Sequence, residues 1–147
     1  VLCVRGRKFG NHKNWSAENW RQLCELLLSM NLIPVITGMK ESVVFDPPEG
    51  CIELWNQTTI GDLIAVMQKS QFVIGQSTGP MHLASLSGVP HAVWGTGRIQ
   101  DRYIKSWNPH GTTVEFHACK QFMSTYEDIV NLVNSMVKKL GIDAHSI

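Results

Sequence analysis

The residues best suited to chemistry in this sequence stand together at Ser77-Thr78-Gly79-Pro80. A short apolar run, Phe72-Val73-Ile74, stops at Gly75-Gln76, and behind the turn Pro80 opens an amphipathic segment, Met81 to Ser87, closed by Gly88. This pattern predicts strand, polar turn and helix. Proline suits a first helical position because its missing N–H would be unpaired there anyway, and glycine suits the position past a helix end, where φ turns positive. Ser77, Thr78 and Gly79 then lie where the carboxyl end of a strand meets a helix N-terminus, with free N–H groups and a partial charge of roughly +0.5 facing a ligand. Such a place suits an anion, most often a phosphate. Ordinary helix capping uses the same residue types, so the turn alone leaves both readings open. His82, one turn into the helix, fits a packed histidine as well as a functional one.

Other combinations carry less. Gly95-Thr96-Gly97 is too short for a dinucleotide fingerprint, and no G-x-x-x-x-G-K-[ST] run is present. His117-x-Cys119 lacks further ligands at metal spacing, so no metal is expected. Lys13 reads by itself as a surface charge, and Trp15 and Trp20 as core or staple residues.

The elements that must position the turn follow from periodicity. Val1 to Val4 reads as a strand. Ser16 can cap a helix over Ala17 to Met30, with Trp20, Leu23, Cys24, Leu27 and Met30 at helical spacing. Ile33 to Thr37 is a buried strand ended by Gly38, Met39 to Pro48 is irregular, and Cys51 to Leu54 is strand-like. Thr59 can cap a helix whose apolar face is Ile60, Leu63, Ile64 and Met67. After His91 to Trp94, a further strand, Gly95 to Pro109 reads as a long loop, unstructured and mobile beside the site, carrying Arg98, Arg102 and Trp107. Thr112 to Phe116 is the next strand. Ser124 with Glu127 forms a capping box for a helix whose buried stripe is Ile129, Leu132, Val133, Met136, Val137 and Leu140. Alternating strands and helices, with the strands as continuous apolar runs, predict an α/β, Rossmann-like parallel sheet covered on both faces. Ligands of such sheets bind outside the strand carboxyl ends, where strand order reverses.

Composition sets the bounds. With 147 residues and 44% hydrophobic content, the chain suits one compact domain. A formal net charge of +1 gives no electrostatic support to nucleic-acid binding. No uncharged apolar run is long enough for a transmembrane helix, and no signal-peptide pattern begins the chain. Cys3, Cys24, Cys51 and Cys119 are scattered over predicted strands, a helix and a loop without a C-x-x-C pair, which fits a reduced, cytoplasmic protein. Val1-Leu2-Cys3-Val4 reads as a strand already under way with no initiator Met, so a fragment is expected.

Ser77-Thr78-Gly79-Pro80-Met81-His82-Leu83-Ala84, followed by Ser87-Gly88-Val89-Pro90 and closing on Gly95, resembles the donor-site signature of the family 9 glycosyltransferases of the lipopolysaccharide heptosyltransferase type. The likeness extends over nearly the whole chain. Lys13-Asn14-Trp15 followed by a helix through Trp20 and Leu23, then a strand ending in Gly38 with Glu41 close behind, is similar to the start of that family's carboxy-terminal domain. Thr59 to Met67 before Phe72 to Ile74 fits its next helix and strand. Trp107-Asn108-Pro109-His110-Gly111 resembles the W-x-P-x-G stretch ahead of its last strand.

The resemblance implies one half of a GT-B enzyme: a carboxy-terminal domain that binds a nucleotide-sugar donor, ADP-heptose-like, for inverting transfer to lipopolysaccharide or another glycan or lipid-linked acceptor. By the same resemblance Ser77, Thr78, Gly79, Pro80 and Met81 form the donor site, with Thr78 and Gly79 on the diphosphate. Lys13 adds a positive charge there, and His82 lies near it. Lys13 and His82 are thereby the catalytic candidates. Glu41 accepts hydrogen bonds from the ribose, and Trp55-Asn56-Gln57-Thr58 occupies the base-binding loop, with Gln57 and Thr58 as contacts. No metal is needed if Lys13 and the helix terminus neutralise the leaving diphosphate. The resemblance places the protein in the cytoplasm, at the inner membrane surface.

Two departures stand out. The family commonly has Asp where this chain has Ser77, which leaves that carboxylate's contact unfilled. The general base and acceptor site belong to an amino-terminal domain not found here, so this chain alone is expected to transfer no sugar; its nearest carboxylates, Glu41 and Asp101, are poorly placed as bases. A stand-alone nucleotide- or phosphate-binding module without catalysis, and a different GT-B member such as a sugar-nucleotide epimerase, are the alternative readings.

Overall fold

The computed structural model describes residues 1–6, 14–39, 45–120 and 124–142. Their strands are β1 (Leu2–Val4), β2 (Val35–Gly38), β3 (Ile52–Trp55), β4 (Val73–Gln76), β5 (His91–Gly95) and β6 (Val114–Ala118). The helices are α1 (Ala17–Ser29), α2 (Ile60–Gln68), α3 (Gly79–Leu86) and α4 (Tyr126–Lys139). The six strands form one sheet in the order β3-β2-β1-β4-β5-β6, with every pair parallel. The chain builds outward from β1 to β3, returns to the middle and builds outward again from β4 to β6. Strand order therefore reverses between β1 and β4, where Leu2 pairs with Ile74 and Cys3 with Gly75.

Alternation along each strand sorts the apolar residues into two cores. Leu2, Val4, Ile74, Ala92 and Trp94 point to one face, where α1 contributes Trp20, Leu23 and Leu27 and α4 contributes Ile129, Val133 and Met136. Cys3, Val73 and Val93 point to the other, against Leu63 and Met67 of α2 and Met81 and Ala84 of α3. The Rossmann-like α/β architecture expected from the sequence is the one observed. On the first face Trp15, Trp20 and Trp94 meet with ring centroids 5.0 to 5.7 Å apart. Trp15 also ties elements together: its backbone N–H donates to Gln76 Oε1 at 3.2 Å and its indole N–H donates to the Ser124 carbonyl at 2.8 Å.

The caps follow the sequence with one shift. Ser16 accepts from the Asn19 amide and Thr59 forms a reciprocal box with Asp62. Gly88, at φ +72, ends the α3 segment as anticipated. At α4 the box is Thr125 with Asp128 rather than Ser124 with Glu127. Both frames fit the capping pattern, and Ser124 is instead buried where Trp15 reaches its carbonyl. Ile60, assigned to the apolar face of α2, is 69% exposed at the helix start, leaving Leu63 and Met67 as the buried contacts. Cys51 precedes β3 instead of lying in a strand.

The stretch from Gly95 to Pro109 departs most from expectation. It is not an irregular loop: a 3-10 turn over Gly97–Ile99 leads into a π-helix over Arg102–Ser106. Its anchor is Tyr103, fully buried, while Arg102, Ile104, Lys105 and Ser106 are exposed. One inward residue in a short non-α turn produces no 3.6-residue periodicity, so nothing in the pattern announces it.

Two consequences for stability can be measured. A Cβ on Gly75 would lie 2.8 Å from the Cys3 carbonyl oxygen and 3.0 Å from Met81 Sδ, whereas a Cβ on Gly79 meets nothing within 4 Å. In urea unfolding, Gly75→Ala should cost about 1 to 3 kcal/mol by overpacking, and Gly79→Ala should stay within about 0.5 kcal/mol of wild type. Equal losses at the two positions would contradict the packing described. His91 is buried, its Nδ1 2.8 Å from the Val89 carbonyl. Burial lowers its pKa below the ordinary 6.5. The unfolded chain then takes up a proton first, so stability should fall as pH drops through 6.5 toward the lowered native value. Urea midpoints between pH 7.5 and 5 test this, and the fall should shrink in His91→Phe.

Candidate functional site

A cavity of about 540 Å³, counted to its open mouth, lies at the carboxyl ends of β1, β2 and β4. It straddles the place where strand order reverses, because neighbouring chain segments leave the sheet in opposite directions there and open a crevice. From β1 come Cys3, Val4, Arg5 and Gly6; from β2 come Thr37, Gly38 and Met39. The turn after β4 supplies Thr78 and Pro80, and the start of α2 supplies Thr58 and Leu63. No carboxylate is among these described lining residues, and Arg5 is their one cation. The charge therefore favours an anionic ligand.

The polar groups have distinct parts. Thr37 Oγ1 donates to the Leu2 carbonyl at 2.9 Å, which ties β2 to β1 and makes this buried threonine part of the floor. Thr78 occupies the N-cap of α3 with extended backbone (φ −152, ψ 172), yet its hydroxyl makes no capping bond and its side chain lines the cavity. The Thr78 carbonyl accepts from the Met81 and His82 amides, and Pro80 has no N–H. Of the first turn, Gly79 keeps an amide without a helical partner. Its backbone angles are ordinary and a Cβ there would enter open space, so neither strain nor packing calls for glycine. Arg5 donates to Asn14 Oδ1, which joins the end of β1 to the segment leading into α1.

The residues nominated from sequence divide accordingly. Thr78, Pro80 and Thr58 line the cavity, and Gly79, outside the lining, lies between the first two in the chain at the start of α3. Thr58 is brought there by the turn at Asn56, whose φ of +50 reverses the chain after β3; its neighbour Gln57 is exposed and outside the lining. Ser77 faces the other way. Its amide donates to the Trp94 carbonyl and its Oγ lies 2.8 Å from the Tyr103 hydroxyl. Met81 is fully buried against Gly75, so its side chain packs the core and not the cavity. Lys13 and Glu41 lie outside the described residues.

His82 also leaves the cavity. Its ring stacks on Tyr103 at 4.3 Å and 11°, and meets the edge of Trp107 at 4.7 Å. Burial lowers its pKa, helped by Arg102 and His91 nearby, so the imidazole is held neutral. Trp107 is 44% exposed, with the Arg102 guanidinium 4.9 Å over its ring. Two functional candidates were missed from sequence. Arg5 could have been found, since it directly follows the first strand and so falls at the carboxyl edge. Tyr103 could not, because it sits in a segment without periodicity.

With this geometry in place, the comparisons with known proteins are consistent among themselves. The family model described as glycosyltransferase family 9 (heptosyltransferase) matches residues 1–114. No curated protein matches the chain. Among solved structures, the crystal structure of the glycosyl transferase family 9 from Veillonella parvula DSM 2008 is similar at a TM-score of 0.68 with 14% identity. That match covers 94% of this chain and 45% of the other, so the chain spans less than half the length of the structure it resembles. At such identity the likeness speaks for the fold, while the family model reaches from β1 to the start of β6 and takes in the whole cavity. The chain belongs to glycosyltransferase family 9.

Proposed function

We propose that this domain holds the nucleoside diphosphate of a nucleotide-sugar donor in the β1/β4 crevice. The observation that carries the reading is the joining of the Thr78 hydroxyl and the Arg5 guanidinium at one strand-order reversal, beside a Gly79 amide that has no helical partner, with no carboxylate among the described lining residues. The glycine that the fold does not require leaves room for phosphate oxygens to approach the backbone. Glycosyl transfer releases a diphosphate whose negative charge grows as the bond to the sugar breaks, and preorganised donors and a cation stabilise it. Lys13 is proposed as a second cation there, Glu41 as the ribose acceptor, and Thr58 with Gln57 as contacts of the base loop. An ADP-heptose-like donor, inverting transfer and a lipopolysaccharide-type acceptor bound by an amino-terminal GT-B half complete the proposal. His82, turned out of the cavity and stacked on Tyr103, is not the base in this reading.

Calorimetric titration with ADP and UDP tests the site. Wild type should bind ADP more tightly than UDP. Arg5→Ala and Lys13→Ala should each weaken ADP by about 1.5 to 3 kcal/mol, the worth of a charge-assisted contact. Gly79→Ala should weaken it while leaving unfolding unchanged. Absence of binding by wild type overturns the reading. The chain alone, given sugar nucleotides and acceptors, should form no product, because an inverting transfer needs a base within reach of the attacking hydroxyl. Turnover lost in His82→Ala would assign that base to His82 instead.

A further inference from the structure

The π-helix after β5 presents one buried side chain, and that side chain touches both ends of the turn at the head of α3. The Tyr103 hydroxyl lies 2.8 Å from Ser77 Oγ, while its ring stacks flat on His82. Phe116 and His91 enclose the rest of the ring, each with centroids 5.8 Å away. Phenylalanine would fill this space equally well. A buried phenol costs free energy unless its hydroxyl is bonded, so the oxygen is not explained by packing. What the oxygen does is hold the Ser77 side chain, at the head of the Ser77-Thr78 peptide. The plane of that peptide and the next decides where the Gly79 amide and the Thr78 hydroxyl point, and the Thr78 side chain lines the cavity.

We propose that Tyr103 is the positioning residue of the diphosphate-binding turn, acting through its hydroxyl on the Ser77 side chain. This rests on the donor-binding reading above. Ser77 thereby has a role other than direct ligand contact: its hydroxyl is the partner that keeps the Tyr103 oxygen in place. A ligand group that would meet a carboxylate at position 77 finds here a neutral oxygen already engaged. The π-helix matters because it carries Tyr103 inward while its neighbours stay in solvent.

Tyr103→Phe tests the proposal, since it keeps the ring, the His82 stack and the core. In ligand-free protein, loss of the Ser77 hydrogen bond should loosen the turn, so that exchange of the Thr78 amide rises about tenfold, with Val73 to Gln76 unchanged. Affinity for ADP should fall by about the same factor while affinity for adenosine stays constant, because only the diphosphate end is misaimed. Ser77→Ala should give the same pattern, and the double variant should be no worse than either single one. Unchanged Thr78 exchange overturns the proposal whether or not any nucleotide binds. Parallel losses for ADP and adenosine would overturn it too, in favour of a structural role. Wild type that binds neither ligand would remove the donor-binding reading, and the exchange measurement would still judge the Tyr103 contact.

Discussion

The structure depends on how closely β1 and β4 run beside each other. Gly75 is opposite Cys3, and the absence of a side chain at Gly75 leaves the space a Cβ would need to the Cys3 carbonyl and Met81 Sδ. Met81 in turn seats α3 on the sheet, so the start of that helix meets the end of β1 across a short gap. Widening that pair by one methyl group would push the helix N-terminus away from Arg5. The geometry of an anion site, which needs donors converging within hydrogen-bond reach, is thus set by a backbone contact two strands deep.

Around that contact the molecule keeps two different kinds of surroundings. The α1/α4 face is closed by large rings, with Trp20 and Trp94 fully buried, and its task is to hold α1 and the segment before it against the sheet. The α2/α3 face is built of smaller residues and ends in a partly exposed group of His82, Arg102 and Trp107. Neutral His82 beside cationic Arg102 avoids a second positive charge in a crowded place. The cation at the cavity comes instead from the residue after β1, where it is held by Asn14.

Much of this was legible in the residues themselves. Apolar runs of four or five residues separated by capped helices could only be a covered parallel sheet, and Pro80 and Gly88 marked α3 from both ends. The strand-turn-helix at Ser77 to Pro80 pointed to the strand ends where the structure has its cavity. What that stretch could not reveal was direction: Ser77, Thr78 and Met81 are neighbours in sequence, yet one faces Tyr103, one the cavity and one the core. Side-chain direction at a turn depends on the peptide planes, which residue types do not determine. The π-helix was hidden because a single buried tyrosine has no period. The frame of the α4 box was ambiguous because serine and threonine stand side by side, each followed by an acid at the third position.

The pairing of Leu2 with Ile74 joins residues 72 positions apart, a separation read directly from their numbers. On either side of that joint the contacts are more local: β1 to β3 form one βαβ-like arm and β4 to β6 another. Bringing distant segments together costs loop-closure entropy before any contact rewards it, so this joint is the long-range step of folding. The proposed anion site is divided along the same line, with Arg5 on the first arm and Thr78 and Gly79 on the second. A chain in which only one arm has folded holds half a site, and any ligand that needs both halves reports that the two arms have met.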